Sequence, residues 1–201
     1  MNITMQNILD GFQIITGVTA IVALFYASRQ QKIDANVNKS QFLLSLKDSF
    51  AQEKRYNIHV CLRDHNIITD WPALDDYLGM FEVCEVMIDN GTLSLEAFNS
   101  LYKYRLVNIL NYNEIVMYKL LFEYSNWAGL YKLLKKVFPE CKDDFIELEN
   151  MAPEFIKRNM EMNRGYENNM FDRIIEDDKI KLMTKIDSIR NKMDKKSIGQ
   201  R

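Results

Sequence analysis

The side chains able to do acid–base, metal or nucleophilic chemistry are few and scattered in this 201-residue chain. His59, Cys61 and His65 are the nearest approach to a ligand cluster. Residues two apart on a helix face different sides, so His59 and Cys61 make a poor chelate. Neither Cys-x-x-Cys nor His-Glu-x-x-His spacing occurs, and no metal centre or cofactor site is expected. Arg55 and His59 lie four apart on one helical face, the arrangement a helical nuclease needs. Such pairs are frequent by chance, and no nucleophile elbow or Gly-rich phosphate loop accompanies them, so the chain is expected not to be an enzyme. Tyr102, Lys103, Tyr104 and Arg105 interleave rings with positive charge, as base stacking and phosphate contact require. Beside Leu106, Ile109 and Leu110 these rings read instead as core, and no nucleic-acid partner is expected.

One polar pair has a structural role. Glu82 and Arg105 lie on the two arms of a helical hairpin closing near Asn90-Gly91-Thr92. Folding about residue 92 places Glu82 opposite Tyr102 with Arg105 one turn away. A charge-assisted bond between Glu82 and Arg105 inside the bundle is therefore predicted.

The elements that must hold these residues are helical almost throughout. Seven glycines and three prolines are too few for a strand-and-turn protein or a disordered one. An apolar fraction of 47% with 27% charged residues suits a chain that folds around a core. The net charge of -2 suggests neither a nucleic-acid cradle nor an acidic tail. Apolar positions at Val37, Phe42, Leu43, Leu46, Phe50, Ile58 and Leu62 follow a helical period across residues 33–63. A loop follows at Asp64 to Asp70. Asp70 is read as an N-cap with Pro72 in the first turn of a helix from Trp71 to Asp89. Asn90-Gly91 stops that helix. Another runs from Ser94 to Leu110, and Asn111-Tyr112-Asn113 either breaks it or passes through it. Helix continues from Glu114 to Tyr124; Asn126 is read as the cap of a helix from Trp127 to Phe138, which Pro139 ends. Residues 140–201 hold 14 acids and 13 bases, the signature of a solvated helical surface. Within them Ile175, Leu182 and Ile189 repeat every seven residues, joined by Ile186 and Met193. Too short for a coiled coil, this stripe reads as an amphipathic helix folding back on the bundle.

The chain begins differently. From Gly11 to Ser28 eighteen consecutive residues are uncharged. As a helix they cover about 27 Å, close to one bilayer core. Phe25 and Tyr26 fall near one end, where amphipathic rings favour the headgroup zone. No Lys or Arg precedes the run, which argues against a cleaved signal peptide. Arg29, Lys32, Lys39 and Lys47 follow it against the single acid Asp34 before Lys47, which puts the C-terminal bulk in the cytoplasm. Cys61, Cys84 and Cys141 cannot all pair within one chain, as suits a reducing compartment. Thr16, Ala20, Ala23 and Ala27 form one small-residue stripe, a candidate helix-association seam. The expected class is all-α: a transmembrane anchor over 1–30, a cytoplasmic helical bundle over 31–165, and an amphipathic C-terminal helix and tail over 166–201.

Several of these residues carry a family resemblance. The leading span with Arg29 and Lys32, then Trp71, Leu78-Gly79-Met80-Phe81-Glu82, Ile88-Asp89-Asn90-Gly91-Thr92-Leu93, Phe98 and Arg105, resembles a bacterial membrane-anchored helical family, domain of unknown function 4760. The similarity covers residues 8–138. It implies one N-terminal span and a cytoplasmic helical bundle, and it supplies no catalytic residue to carry over. The expected function is a single-pass inner-membrane protein whose helical domain binds another protein or its own copies; a regulator or a stress or phage-defence component falls within that class. An oligomeric membrane-disrupting effector and a membrane-tethered nuclease or nucleotide-processing enzyme are the alternatives, with a soluble helical dimer, its first helix in the interface, as the reading without a span.

Overall fold

The computed structural model describes residues 40–162 and 176–198, all helix, turn or loop. The chain divides into two compact units, Met1–Asp48 and Ser49–Arg201. The uncharged run Gly11–Ser28 and its stripe of Thr16, Ala20, Ala23 and Ala27 lie outside the described residues. Among those described, no helix is long and apolar enough to cross a membrane.

Helix α1 occupies residues 40–51 and α2 Glu53–Arg63. A single helix was expected here. Gln52 breaks it with an extended ψ of 138°. The break is stitched by Arg55, whose Nη1 donates to the Ser49 carbonyl at 3.0 Å, satisfying one acceptor freed at the helix end. Arg55 also forks onto Asp76 of the next helix at 2.6 and 2.8 Å.

Helix α3 (Trp71–Asp89) starts where its sequence says it should. Asp70 accepts from the Ala73 N–H at 3.0 Å, and Pro72 fills the first turn, where a missing N–H costs nothing. Gly91, at φ 75°, takes the left-handed conformation that ends the helix. Ser94 then caps α4 (Leu95–Leu110) by accepting from Ala97 N at 3.1 Å. The chain does break at Asn111-Tyr112. A short α5 (Asn113–Ile115) leads into a π-helical stretch, Val116–Phe122, whose wide turn shows in the Glu123 N–H donating to Tyr118 O five residues back.

A 3₁₀ turn, Tyr124–Trp127, precedes α6 (Ala128–Val137). Asn126 is not its cap. The cap comes from α3, through Glu82. Pro139 ends α6 as expected and opens a second 3₁₀ turn, Pro139–Cys141. Helix α7 (Lys142–Met162) packs along the π stretch, with Phe122 and Phe155 meeting edge to face at 5.1 Å. Helix α8 (Glu176–Ile198) buries Leu182, Ile186, Ile189 and Met193, with Ile175 of the expected stripe outside the described residues, and lies against α7 and the Pro139–Cys141 turn. The amphipathic helix thus folds back within the second unit, held by Arg190, which donates twice to the Leu110 carbonyl at 2.7 and 3.1 Å.

The core is aromatic and aliphatic. Phe50, Tyr77, Phe81, Phe98 and Tyr102 form a chain of ring contacts between 4.7 and 6.4 Å, and Leu74, Leu78, Leu106, Leu130 and Leu134 fill around them. Burying each such side chain contributes about 1.5–3 kcal/mol.

Gly79 sits mid-helix in α3, and a Cβ there meets nothing within 4 Å. Gly79→Ala should therefore stabilise the fold by about 0.5–1 kcal/mol, read as a higher urea midpoint at unchanged slope. An unchanged or lower midpoint counts against this packing of α3.

Candidate functional site

Three polar arrangements inside the bundle bear on the candidate residues. The first joins α3 to α6. Glu82 Oε1 accepts from Gly129 N at 3.0 Å and Leu130 N at 3.3 Å, satisfying two N–H groups that a helix start leaves unpaired and placing negative charge at its positive end. One turn and two turns further along α3, Glu85 and Asp89 both pair with Lys136 at the end of α6. The two helices therefore run parallel in register, tied at both ends. The close approach depends on Gly129, where a Cβ would come within 2.9 Å of Glu82 Oε1.

This arrangement displaces the expected Glu82–Arg105 pair, and no such ion pair occurs among the described residues. Arg105 instead lies over the Phe50 ring at 5.1 Å and donates from Nε to Tyr104 Oη at 3.1 Å. The hairpin prediction failed because α3 packs chiefly against α2 and α6 rather than folding flat onto α4.

The second arrangement surrounds His59. Its ring meets Tyr104 edge to face at 5.5 Å, and the residue is only 6% exposed. Burial pulls its pKa down to about 4, helped by the positive charges of Arg105 and Arg63 and opposed by Asp64. Arg55, four residues before His59, bonds Asp76 and the Ser49 carbonyl. Tyr102 is buried as expected, Lys103 covers the Phe138 ring at 5.0 Å, and Tyr104 is half exposed. Cys61, Cys84 and Cys141 are free thiols; burial lifts Cys84 to about 12 and Cys141 to about 11, far from reactive thiolates. No group of ligating residues able to hold a metal ion occurs among the described residues.

The third arrangement was not anticipated and is the best-formed site. Lys119, in the π stretch, has a side chain only 5% exposed, with Nζ 2.6 Å from Asp75 Oδ1 of α3 and 2.9 and 3.0 Å from the two oxygens of Glu123. Burial works to lower its pKa, but hydrogen bonds to Asp75 and Glu123 outweigh this and hold it above its usual value. Nζ also stands 5.7 Å from the centre of the Trp71 ring, and Trp71 meets Tyr118 edge to face at 5.2 Å. Trp127 Nε1 donates to Glu123 Oε2 at 3.3 Å and fixes that carboxylate from the far side. Trp71, Tyr118, Lys119 and Glu123 line an open cavity of about 310 Å³. The sequence did offer one clue: a lone lysine inside the apolar run Ile115–Phe122, four residues before a glutamate. Only the π turn, which adds a residue to the helical ladder, and the arrival of α3 make that lysine internal.

No protein-family model, curated protein or solved structure matches the chain.

Glu82→Ala should cost about 1–2 kcal/mol by uncapping α6, and Gly129→Ala should also destabilise by forcing Glu82 aside, both visible in chemical denaturation. Equal stability of either variant and wild type contradicts the α3–α6 tie. His59 predicts a pH effect whose sign follows from its lowered folded value. Below about pH 6.5 the unfolded chain binds a proton that the folded chain refuses, so stability falls on acidification. Between pH 7 and 5 the loss is about 2 kcal/mol, and His59→Phe should abolish it. A variant that keeps the full slope places the titrating group elsewhere.

Proposed function

We propose that the protein is a single-pass inner-membrane protein whose helical domain works in the cytoplasm as a protein-interaction or regulatory module. The observation that carries this reading is the uncharged run Gly11–Ser28 followed by the basic residues Arg29, Lys32 and Lys39, an anchor with a cytoplasmic flank. The free thiols of Cys61, Cys84 and Cys141 accord with a reducing compartment behind that anchor. The resemblance of residues 8–138 to domain of unknown function 4760 points the same way.

The folded domain supports interaction rather than turnover. Many of its acids and bases tie helices together: Arg55 pairs with Asp76, Lys136 with Glu85 and Asp89, and Lys185 and Lys192 with Asp144. Meanwhile Tyr56 on α2, Leu101 and Tyr104 on α4, and Val83 and Val86 on α3 stand exposed. Aromatic and aliphatic side chains of that kind supply contact area at protein interfaces. The stripe Thr16, Ala20, Ala23 and Ala27 offers a seam through which anchors of several copies could associate.

Membrane fractions from cells expressing the full chain should retain it through carbonate and high-salt washes and release it only to detergent. Release by carbonate alone refutes the spanning reading and favours a soluble helical dimer. In detergent, wild-type chain should co-purify a defined protein or its own copies. Dye leakage from cells that Ala20→Leu or Ala23→Leu abolishes would instead establish an oligomeric, membrane-disrupting effector.

A further inference from the structure

We propose that the cavity at Trp71, Tyr118, Lys119 and Glu123 binds a single organic cation, a guanidinium or alkylammonium group, with Lys119 as the resident cation that the ligand must share or displace. The inference deepens the interaction reading by naming the chemistry of what the domain holds, and it rests on that reading only for its biological setting.

Four features of the pocket point to this ligand. Its walls include the Trp71 and Tyr118 rings, set edge to face at 5.2 Å, and aromatic faces attract cations most strongly where water is partly excluded. Lys119 already demonstrates the preference, since its ammonium lies 5.7 Å from the Trp71 ring centre. The charge is unbalanced in the right direction: two carboxylates, Asp75 and Glu123, meet one ammonium, leaving an excess negative charge. Glu123, which lines the cavity, is open to an incoming donor with a side chain 38% exposed, while Asp75 meets Lys119 through its buried Oδ1 and the lysine between them is 5% exposed. Glu123 is also held in place before any ligand arrives. Trp127 Nε1 donates to its Oε2, and its backbone N–H closes the π turn onto Tyr118 O at 3.0 Å. A carboxylate oriented in advance loses little entropy on binding a planar or tetrahedral cation. The π turn thus places Tyr118, Lys119 and Glu123 around one cavity while α3 contributes Trp71 to its wall and Asp75 as a partner of Lys119, in keeping with the frequency of π segments at functional sites.

The cavity of about 310 Å³ admits one side chain or one small molecule. An arginine or lysine side chain of a protein partner and a free organic amine present the same cationic head, and the two sources are separated by experiment.

The full chain in neutral detergent is titrated, with tryptophan emission as readout, against N-acetyl-arginine amide, tetramethylammonium, an acetylated and amidated Gly-Arg-Gly peptide, and neutral N-acetyl-citrulline amide. Saturable change with the cations and none with citrulline is expected. Tighter binding of the peptide than of the free cations assigns the pocket to a protein side chain; equal or tighter binding of the free cations assigns it to a small molecule. Glu123→Gln should weaken binding by about tenfold through loss of a charge-assisted bond. Lys119→Met, with its fold checked by circular dichroism, should tighten it by a similar factor, because the competing cation is gone. Asp75→Asn is the companion variant and should weaken it. A response to citrulline equal to that to arginine, no saturable change with any cation, or a shift of Lys119→Met in the same direction as Glu123→Gln overturns the proposal. These readouts are independent of co-purification, so a protein captured by wild-type chain without cation binding sinks the pocket and leaves the interaction module standing.

Discussion

Glu82 at the start of α6 is the contact on which the described bundle turns. A helix beginning inside a folded domain exposes several N–H groups to an apolar environment, and each left unpaired costs about 1–3 kcal/mol. The local sequence before α6 provides no such partner, since Trp127 sits at the N-cap position without a capping side-chain bond. A carboxylate from α3 supplies it. Because Glu85 and Asp89 hold Lys136 at the other end, two turns away, α6 has only one register and one direction along α3. Gly129 permits the approach by leaving room where a Cβ would collide. The direction is parallel, which aligns the two helix dipoles unfavourably; the acid at one end and the lysine at the other offset that.

From this tie the path of the intervening chain follows. The chain leaves α3 through α4, and the stretch from Asn113 to Trp127 brings it back to the start of α6 beside α3. The π turn at Val116–Phe122 lies on that return. Tyr131, within α6, donates its buried hydroxyl to the Leu120 carbonyl at 2.6 Å, binding the π turn to α6. Burial pushes the Tyr131 phenol well above its ordinary pKa, so it stays a donor throughout the physiological range. Lys119 is carried inward by the same geometry and finds Asp75 on α3. The pocket and the α3–α6 tie share α3, which contributes Trp71 and Asp75 to one and Glu82, Glu85 and Asp89 to the other.

Much of the helical architecture was legible locally. Asp70, Pro72, Asn90-Gly91, Ser94 and Pro139 mark helix ends through their own backbone chemistry, and the ends fall where those residues put them. Leu182, Ile186, Ile189 and Met193 gave α8 its buried stripe because a helical period needs no knowledge of the partner. The break at Gln52 was illegible, as no glycine or proline marks it; what bridges it is Arg55, through the Ser49 carbonyl and Asp76 of α3. The Glu82–Arg105 pairing went wrong for a related reason. Sequence adjacency makes α3 and α4 a hairpin, but a third helix took the face of α3 that Glu82 occupies. At the candidate site only the i, i+4 pair Lys119–Glu123 could be read along the chain; Trp71 and Asp75 arrive from 44 or more residues away.

The sequence by itself determined that the protein is helical, where most helices begin and end, and that an uncharged segment of bilayer length precedes the described residues. Those properties follow from backbone preferences and hydrophobic period, which act over a few residues. Tertiary structure alone decided which acid meets which base, that α3 and α6 run parallel, that His59 is buried beside Arg105, and that Lys119 becomes an internal cation in an aromatic pocket. Those outcomes depend on unpaired N–H groups and buried charges finding partners across the bundle, and a partner's identity is fixed only when all the helices compete for the same surfaces.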